Sequence, residues 1–176
     1  RWNHSRMNMA TPSVLLIRKA RVSRINHVTP ELFTLTCVLE HPQDFTYQAG
    51  QWVYLHLLNE AGEGIARGAF SIASAPAEDR MEIEFGIKVY GRLTTTFSEM
   101  QPGDVIGVQG PFGVFILPKE PAPLVFLAGG IGITPFRSMV RQALATPSAE
   151  PIALIWMEKM WEDLMFHHEF EAWQRV

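Results

Sequence analysis

The feature of this sequence that most constrains its fold is a change in the spacing of hydrophobic residues near segment 118–123. Before this segment, short stretches alternate between apolar and polar residues, which is typical of β-strands with one face in a core. After it, residues 124–128 form a continuous apolar run, as expected of a parallel strand covered on both faces. The sequence therefore predicts two units of different architecture, joined at this proline-rich segment.

The first unit, residues 13–119, is predicted to be a closed antiparallel β-barrel. Several short strands with turn residues between them favour this architecture. The alternation is cleanest at Phe33, Leu35, Cys37 and Leu39, which predicts that they share one face. The expected strands are 14–25, 33–40, 51–58, 67–76, 81–88 and 105–109, with a connection at 26–30, and residues 1–12 are expected to form a mobile tail.

The second unit, residues 123–176, is predicted to begin a nucleotide-binding sheet with the order β-α-β-α. Strands are expected at 124–128 and 152–156, and the final helix at 163–174. Thr134 is predicted to cap the first helix, and Pro135 suits its first turn, where a missing N–H costs nothing. An apolar stripe along this helix predicts its buried face, with Arg137 and Arg141 on another side.

Composition excludes several classes of function. The net charge is −3 and the sequence has no lysine or arginine block, which argues against a nucleic-acid partner. Cys37 is the only cysteine, so these residues hold neither an internal disulfide nor a cysteine-ligated iron–sulfur cluster, and no metal site is expected. No segment is long enough to span a bilayer, and a cytoplasmic location is the expectation.

Residues 67–76, Arg-Gly-Ala-Phe-Ser-Ile-Ala-Ser-Ala-Pro, predict a short, half-buried strand that ends in a proline turn. Side chains alternate across a strand, so Phe70, Ile72 and Ser74 are expected on one face and Ser71 on the other. An aromatic ring, small residues and hydroxyls suit a strand that a flat ligand lies against. An ordinary barrel strand would explain the same residues.

A glycine-rich loop, residues 128–135, lies directly between a predicted strand and a predicted helix. Glycines there let the backbone approach a phosphate, and the start of the helix supplies unpaired N–H groups and a positive dipole end. The loop departs from the G-x-G-x-x-G pattern of the usual dehydrogenase, because Pro135 holds the third position. Tight packing of strand on helix is the alternative explanation.

Four segments of the chain resemble motifs of the ferredoxin–NADP reductase superfamily and occur in the same order as in that family. Residues 67–71 resemble its Arg-x-Tyr/Phe-Ser motif, 91–97 its Gly-x-x-Ser/Thr-x-x-Leu segment, 110–113 its Gly-Pro-x-Gly turn, and 128–135 its Gly-Gly-x-Gly-x-Thr-Pro loop. The resemblance implies a Greek-key flavin-binding barrel followed by an incomplete Rossmann-like nucleotide-binding domain. It also implies hydride transfer from NAD(P)H to a bound flavin, FAD or alternatively FMN. Electrons would then pass to an iron–sulfur or haem protein, such as a ferredoxin or an oxygenase component.

The resemblance also assigns roles to residues. Ser71 is the implied catalytic residue, since it would reach toward flavin N5, and Phe70 would lie against the isoalloxazine ring. Arg67 and Thr94 would hold the flavin phosphates, and Thr94 is predicted to cap the helix that starts beside them. On the nucleotide side, Gly130 and Gly132 would approach the pyrophosphate and Thr134 would lie near the nicotinamide. The other implied cofactor contacts are Ile72, Ala73, Ser74, Lys88, Gly91, Arg92, Leu93 and Pro135.

One residue departs from the family pattern. The family arginine stands three positions before the serine, whereas Arg67 stands four before Ser71 and Gly68 occupies the expected position. A one-residue β-bulge at Gly68 would return Arg67 to the face of Phe70, and glycine tolerates such a bulge. We therefore predict a bulge there. If the strand is regular, Arg92 or Lys88 is the substitute cation.

Family members continue beyond the position matched by Val176, usually with a Cys-Gly-Pro segment. The chain is therefore expected to be the N-terminal portion of a longer protein. By itself, this portion is expected to oxidise NAD(P)H poorly or not at all. NAD and NADP are not distinguished, since Glu158 and Lys159 favour opposite choices. Two alternatives to a reductase are open. One is a flavin electron-relay subunit without its own catalytic activity, and the other is a barrel scaffold that has lost its flavin.

Overall fold

The computed structural model describes residues 15–76, 82–120, 122–146 and 150–174. It contains eight strands and three α-helices in these ranges, together with short 3-10 turns. The strands are β1 (Ile17–Thr29), β2 (Leu32–Leu39), β3 (Trp52–Leu58), β4 (Gly64–Ser71), β5 (Glu82–Lys88), β6 (Val105–Phe112), β7 (Leu124–Gly129) and β8 (Ile152–Met157). The helices are α1 (Arg92–Ser98), α2 (Ile133–Leu144) and α3 (His167–Trp173).

The first six strands form one antiparallel sheet with the order β4-β3-β6-β1-β2-β5. Its two outer strands meet just beyond the end of β4, where the N–H of Ala73 donates to the carbonyl of Glu84 at 2.8 Å. This contact places β5 next to β4 and completes a Greek-key order. The predicted closure is only partial, however, because β4 and β5 share no ladder within the described ranges.

Several predicted boundaries need correction. Residues 26–29 continue β1, because they pair with residues 32–34 of β2, so the turn is confined to Pro30 and Glu31. Strand β6 extends to Phe112 and joins β3 to β1. The final α-helix begins at His167, after a 3-10 turn at Trp161–Asp163, and not at residue 163. The predicted tail, residues 1–12, lies outside the described residues.

The core of the first unit is built from large side chains. Phe33, Phe85 and Phe97 are fully buried, and Phe33, Leu35, Cys37 and Leu39 face the core together, as their alternation predicts. Burial raises the pKa of the Cys37 thiol to about 12, with the nearby charge of Glu82 adding to the effect. The thiol is therefore a neutral packing group at physiological pH.

The second unit has a core on one face only. Strands β7 and β8 are parallel, and α2 covers the face that carries Phe126 and Ala128. On the opposite face Val125 and Leu127 are 66% and 64% exposed, and Ile155 and Met157 of β8 are exposed as well. The continuous apolar run correctly predicts a parallel strand, but within the described part of the chain only one of its faces is covered.

Helix α2 also packs against the first unit. Ala49 and Ala73 belong to the same buried cluster as Phe136 and Met139 of α2. A Cβ added to Gly86 of β5 would lie 2.7 Å from Cγ2 of Thr134, so this glycine lets the start of α2 approach the sheet closely. The two units are therefore joined through α2.

Candidate functional site

Strand β4 is regular through Gly68, so the predicted bulge at that residue is wrong. Val53, Tyr54, Leu55 and His56 of β3 pair in unbroken register with residues 70, 69, 68 and 67 of β4. The register shift lies nearer the start of the strand, where Leu57 pairs with Ala66 and Leu58 pairs with Gly64. Gly68 and Phe70 therefore share one face, and Arg67 lies on the other.

Arg67 is held by neighbours on its own face. Its guanidinium carbon lies 4.2 Å from the centroid of the Tyr54 ring, and its Nη1 donates to Oε1 of Gln109 at 3.3 Å. The same oxygen lies 3.0 Å from Nε2 of His56. Burial, together with the charge of Arg67, lowers the pKa of His56 below 6.5, although its contact with Gln109 opposes the shift. The arginine is therefore directed away from Phe70.

Phe70 faces helix α1 and the core of the first unit. Its ring makes an edge contact with Phe97, with centroids 5.9 Å apart. A Cβ added to Gly68 would lie 2.9 Å from Cε2 of Phe70 and 2.9 Å from Cδ2 of Leu93. The absence of a side chain at Gly68 therefore leaves room for the Phe70 ring. Phe70 remains half-buried, and so part of its surface is open to a ligand.

Ser71 ends β4, and the residues after it turn toward the second unit. Ser71 is half-buried, and its hydroxyl makes no hydrogen bond to any described residue. Ile72 enters the core of the first unit, whereas Ala73 enters the cluster beneath α2. The predicted alternation of faces stops here, because the strand itself stops. The Ser71 hydroxyl is thus available at a fixed position.

Ser74 is anchored from both sides. Its Oγ accepts the backbone N–H of Glu84 at 3.1 Å, and the hydroxyl of Tyr47 lies 3.0 Å from that Oγ and 3.2 Å from the Ser74 carbonyl. Burial raises the pKa of Tyr47 even though Ser74 and the charge of Arg141 oppose the shift. Ser74 therefore orders the segment after Ser71, and its own hydroxyl is already engaged.

The loop before α1 has an open backbone at Gly91. Gly91 has a φ of 78°, and a Cβ there would meet no atom within 4 Å. Gly91 is the N-cap of α1, so the prediction that Thr94 caps this helix is wrong. Thr94 is the third helical residue. Its Oγ1 accepts the backbone N–H of Tyr90 at 2.5 Å and donates to the Gly91 carbonyl at 3.2 Å. Thr94 therefore shapes the loop.

The cations near this loop differ in their contacts. Arg92 is exposed and makes no ion pair with a described residue. Lys88 does pair, because its Nζ lies 3.8 Å from Oε2 of Glu31. Tyr90 is 90% exposed beside the loop. Arg92 is thus the cation that can contact a ligand at Gly91 without losing an ion pair to a described residue.

The glycine-rich loop has open space along its backbone. A Cβ at Gly129 or Gly132 would meet no atom within 4 Å, and Gly130 has a φ of 54°. The nearest neighbour of a Cβ at Gly130 is Oε1 of Glu158, at 3.7 Å. The start of α2 thus offers an open backbone surface that a phosphate group can approach.

Thr134 does not cap α2, which corrects the other capping prediction. The helix begins at Ile133 after Gly132, and Thr134 is buried with its hydroxyl donating to the Ile131 carbonyl at 3.1 Å. Pro135 does occupy the first turn, as its missing N–H predicts. The hydroxyl of Thr134 stabilises the loop from inside.

The sequence reasoning missed three residues that shape this region: Tyr47, Glu84 and Arg137. Arg137 was expected on the polar side of α2, but its side chain is only 4% exposed. The available signal was helical spacing, because Arg137 stands four residues after Ile133 and three before Val140, and both are buried. Tyr47 and Glu84 carry no such signal.

Comparison with known proteins identifies the family. The family described as oxidoreductase FAD-binding domain matches residues 19–116, and oxidoreductase NAD-binding domain matches residues 126–176. The first match covers more than half of the chain, so the chain belongs to the oxidoreductase FAD-binding family, within the ferredoxin–NADP reductase superfamily. The two matches also confirm FAD and a nicotinamide dinucleotide as the cofactors.

Individual relatives agree. Ferredoxin–NADP reductase B of Sorangium cellulosum is 32% identical over 159 residues, which are 89% of this chain and 64% of the relative. Sulfhydrogenase 2 subunit gamma of Pyrococcus furiosus is 32% identical over 155 residues, 85% of this chain and 51% of the relative. The crystal structure of a ferredoxin NADP+ reductase from Neisseria gonorrhoeae with bound FAD and NADP superposes with a TM-score of 0.76 at 27% identity. That match covers 89% of this chain and 63% of the other.

The chain therefore spans between about half and two thirds of the length of these relatives. The comparisons confirm the fold class, an antiparallel flavin-binding barrel followed by part of a nucleotide-binding domain. None of the helices in the described ranges combines the length and apolar character needed to cross a bilayer.

Proposed function

We propose that this chain is the flavin-binding part of an oxidoreductase that takes a hydride from NAD(P)H onto FAD and passes electrons to an iron–sulfur or haem protein. The observation that carries the proposal is the junction between the two units. Ser138 of α2 donates to the Ser74 carbonyl at 2.6 Å, so the helix that begins at the glycine-rich loop lies directly on the segment after Ser71. One contact thus joins the two predicted cofactor regions.

In this proposal the chain's residues bind and orient, and FAD supplies the capacity to accept a hydride and release single electrons. Phe70 offers the open part of its ring to the isoalloxazine. The Ser71 hydroxyl, which makes no hydrogen bond to a described residue, lies at the end of β4 and is the proposed polar contact to the flavin. On the nucleotide side, Gly130 and Gly132 leave their backbone open to a pyrophosphate, and Thr134 keeps that loop in shape.

Arg92 is the proposed cation for the flavin phosphates. It follows Gly91, whose Cβ position is open, and it has no ion pair with a described residue. Arg67 instead lies over Tyr54 on the opposite face of β4. Replacing Arg92 with Met should weaken FAD affinity by about tenfold, the value of one charge-assisted hydrogen bond. Arg67→Met is the matched control and should change it by less than about twofold. Equal effects of the two changes would contradict the assignment.

NADH is the proposed hydride donor, because Glu158 lies next to the glycine-rich loop. Its carboxylate is 3.7 Å from the Cβ position of Gly130, where it can accept a hydrogen bond from a ribose 2′-hydroxyl and would repel a 2′-phosphate. Glu158→Gln should therefore raise the use of NADPH relative to NADH. Lys159→Gln is the control. If it changes the ratio of NADPH to NADH use more than Glu158→Gln does, NADPH would be the preferred donor instead.

The acceptor class is proposed from the family. The relative from Sorangium cellulosum is named a ferredoxin–NADP reductase, which favours a ferredoxin, and an oxygenase component is the other class that the sequence predicts. A cytoplasmic location remains a prediction from the sequence. The electron-relay alternative has one specific observation in its favour, the 32% identity to a sulfhydrogenase subunit.

The test of the proposed function is reduction of bound FAD under anaerobic conditions. The FAD-loaded chain is mixed with NADH or NADPH while the visible flavin band is followed, and dithionite gives the fully reduced endpoint. We expect slow but stoichiometric bleaching by a nucleotide, and slower bleaching in Ser71→Ala. FAD that dithionite reduces but neither nucleotide does would favour the relay alternative. A chain that binds no FAD would favour the scaffold.

A further inference from the structure

Arg137 is a buried cation at the boundary between the two units. It lies in the second turn of α2, two residues after the glycine-rich loop, and its side chain is 4% exposed. Its guanidinium uses three nitrogens. Nε and Nη2 donate to the two carboxylate oxygens of Glu169 at 3.1 and 2.7 Å, and Nη1 donates to Oε2 of Glu84 at 2.8 Å and to the Ala73 carbonyl at 3.1 Å.

These contacts connect three elements. Glu84 belongs to β5 of the first unit and Glu169 to α3, and the guanidinium carbon lies 4.3 Å from the centroid of the Phe166 ring. Burial alone would lower the pKa of Arg137, but the hydrogen bonds and charges of Glu169 and Glu84 outweigh it and raise the pKa above its usual value. Arg137 is thus a permanent cation whose donors form a fixed fork.

Two consecutive residues of α2 hold two consecutive carbonyls of the segment after Ser71. Arg137 binds the carbonyl of Ala73, and Ser138 binds that of Ser74. The N–H of Ala73 in turn donates to the Glu84 carbonyl, and the carboxylate of Glu84 returns to Arg137. Both backbone groups of Ala73 are therefore held. Its C=O accepts a hydrogen bond from Arg137, and its N–H donates to Glu84, whose carboxylate binds Arg137.

We propose that Arg137 is a positioning residue that sets the distance between the flavin-facing end of β4 and the nicotinamide-facing start of α2. This inference rests on the proposed function. A hydride donor and acceptor must approach within about 3–3.5 Å, and a misplacement of about 1 Å can lower the rate about 100-fold. Each ligand region belongs to a different unit, so the contact between the units determines this approach. The guanidinium fork fixes it through Ala73 and Glu84.

The experiment compares three variants of the FAD-loaded chain. Arg137→Met removes the fork. Arg137→Lys keeps the charge but replaces the planar fork with a point charge, and this milder change guards against loss of folding. Arg141→Met is the control, because it lies on the same helix one turn further on and donates no hydrogen bond to a described residue.

Hydrogen exchange at the Ala73 amide is the first readout, because it needs no turnover. We expect exchange to rise at least about tenfold in Arg137→Met and by less in Arg137→Lys, with no change in Arg141→Met. The visible circular dichroism of bound FAD should change in the same order, while FAD affinity stays within about twofold of the parent chain. Parent-like exchange and dichroism in both Arg137 variants would overturn the proposal, and so would equal changes in the control.

Single-turnover reduction by NADH separates positioning from simple stabilisation. The limiting rate at saturating NADH should fall about tenfold or more in Arg137→Lys, with nucleotide affinity little changed. A loss of nucleotide affinity at an unchanged limiting rate would contradict positioning. Failure of the proposed function is distinguishable, since the parent chain would then bind no FAD or would not be reduced, whereas exchange at Ala73 would still report on the fork.

Discussion

The two units of this chain bury their apolar residues in different ways. The six-stranded sheet curves around a core of fully buried phenylalanine and aliphatic side chains, although β4 and β5 share no ladder within the described ranges. The two-stranded sheet is covered by α2 on one face, and its other face exposes Val125, Leu127, Ile155 and Met157. The first unit therefore carries its own stability, whereas the described part of the second gains much of its stability from contact with the first.

This difference explains why α2 has two roles. One side of the helix packs on β7, where the ring centroids of Phe136 of α2 and Phe126 of β7 are 4.7 Å apart. Another side reaches the first unit through Arg137, Ser138 and Met139. A helix fixed on both sides holds its N-terminal loop in place, and a preorganised loop binds its ligand with a smaller ordering cost.

The largest expected effect comes from the core of the first unit. Phe85→Ala should lower the free energy of unfolding by about 3–5 kcal/mol, because it leaves a large cavity among residues that are fully buried. Val125→Ala is the contrasting change on the exposed face and should stay within about 0.5 kcal/mol. Urea unfolding followed by circular dichroism measures both. Similar losses in the two variants would remove the distinction between the units.

A smaller effect is expected at the contact between the units. Gly86→Ala places a methyl group 2.7 Å from Cγ2 of Thr134 and 2.9 Å from Sδ of Met165. We expect a loss of about 1–3 kcal/mol from overpacking, with the unfolding transition of the second unit separating from that of the first.

Thr134→Ser provides the matched test, because it removes Cγ2 but keeps the hydroxyl that donates to Ile131. In the double variant with Gly86→Ala, part of the lost stability should return. Strictly additive effects of the two substitutions would show that this contact does not couple the units.

The pH dependence of stability tests the outer face of β3 and β4. The pKa of His56 is lowered from 6.5 in the folded chain, so the unfolded chain binds more protons in this range and stability falls as the pH drops below 6.5. His56→Gln should reduce this loss between about pH 7.5 and about pH 5.5, as measured by thermal unfolding. A variant whose stability falls as steeply as that of the parent chain would contradict the assignment.

The smallest effect is expected from a thiol reagent. Cys37 is fully buried in the first unit and its pKa is about 12, so almost no thiolate is present at neutral pH. Labelling by a disulfide reagent should follow global unfolding of the first unit and should be unaffected by Gly86→Ala, provided that this change loosens only the second unit. Fast labelling of the native chain would show that the first unit opens locally.

Much of the fold follows from the hydrophobic pattern, because alternation and apolar runs report which faces are covered. The change in pattern at 118–123 predicts the two units, and residues 33–39 predict a core strand that the structure confirms. The capping predictions for Thr94 and Thr134 failed because both hydroxyls bond backbone groups from inside the helix. A side-chain type alone does not distinguish these positions.

The candidate site was predictable as a set of motifs but not as a set of contacts. The displaced Arg67 was visible in the sequence, yet the direction of its side chain depends on pairing with β3 and on the ring of Tyr54. The network around Arg137 joins residues 73, 84 and 169, and such separations leave no local pattern. Only the fold brings these groups together.

The most direct test of the central claim is the visible absorption spectrum of the purified chain after incubation with FAD and removal of unbound ligand. We expect a yellow, equimolar complex, and we expect Phe70→Ala to perturb the flavin band while Val125→Ala leaves it unchanged. A correctly folded chain that stays colourless would contradict flavin binding by the first unit, which would then have the architecture of a flavin-binding barrel without binding flavin.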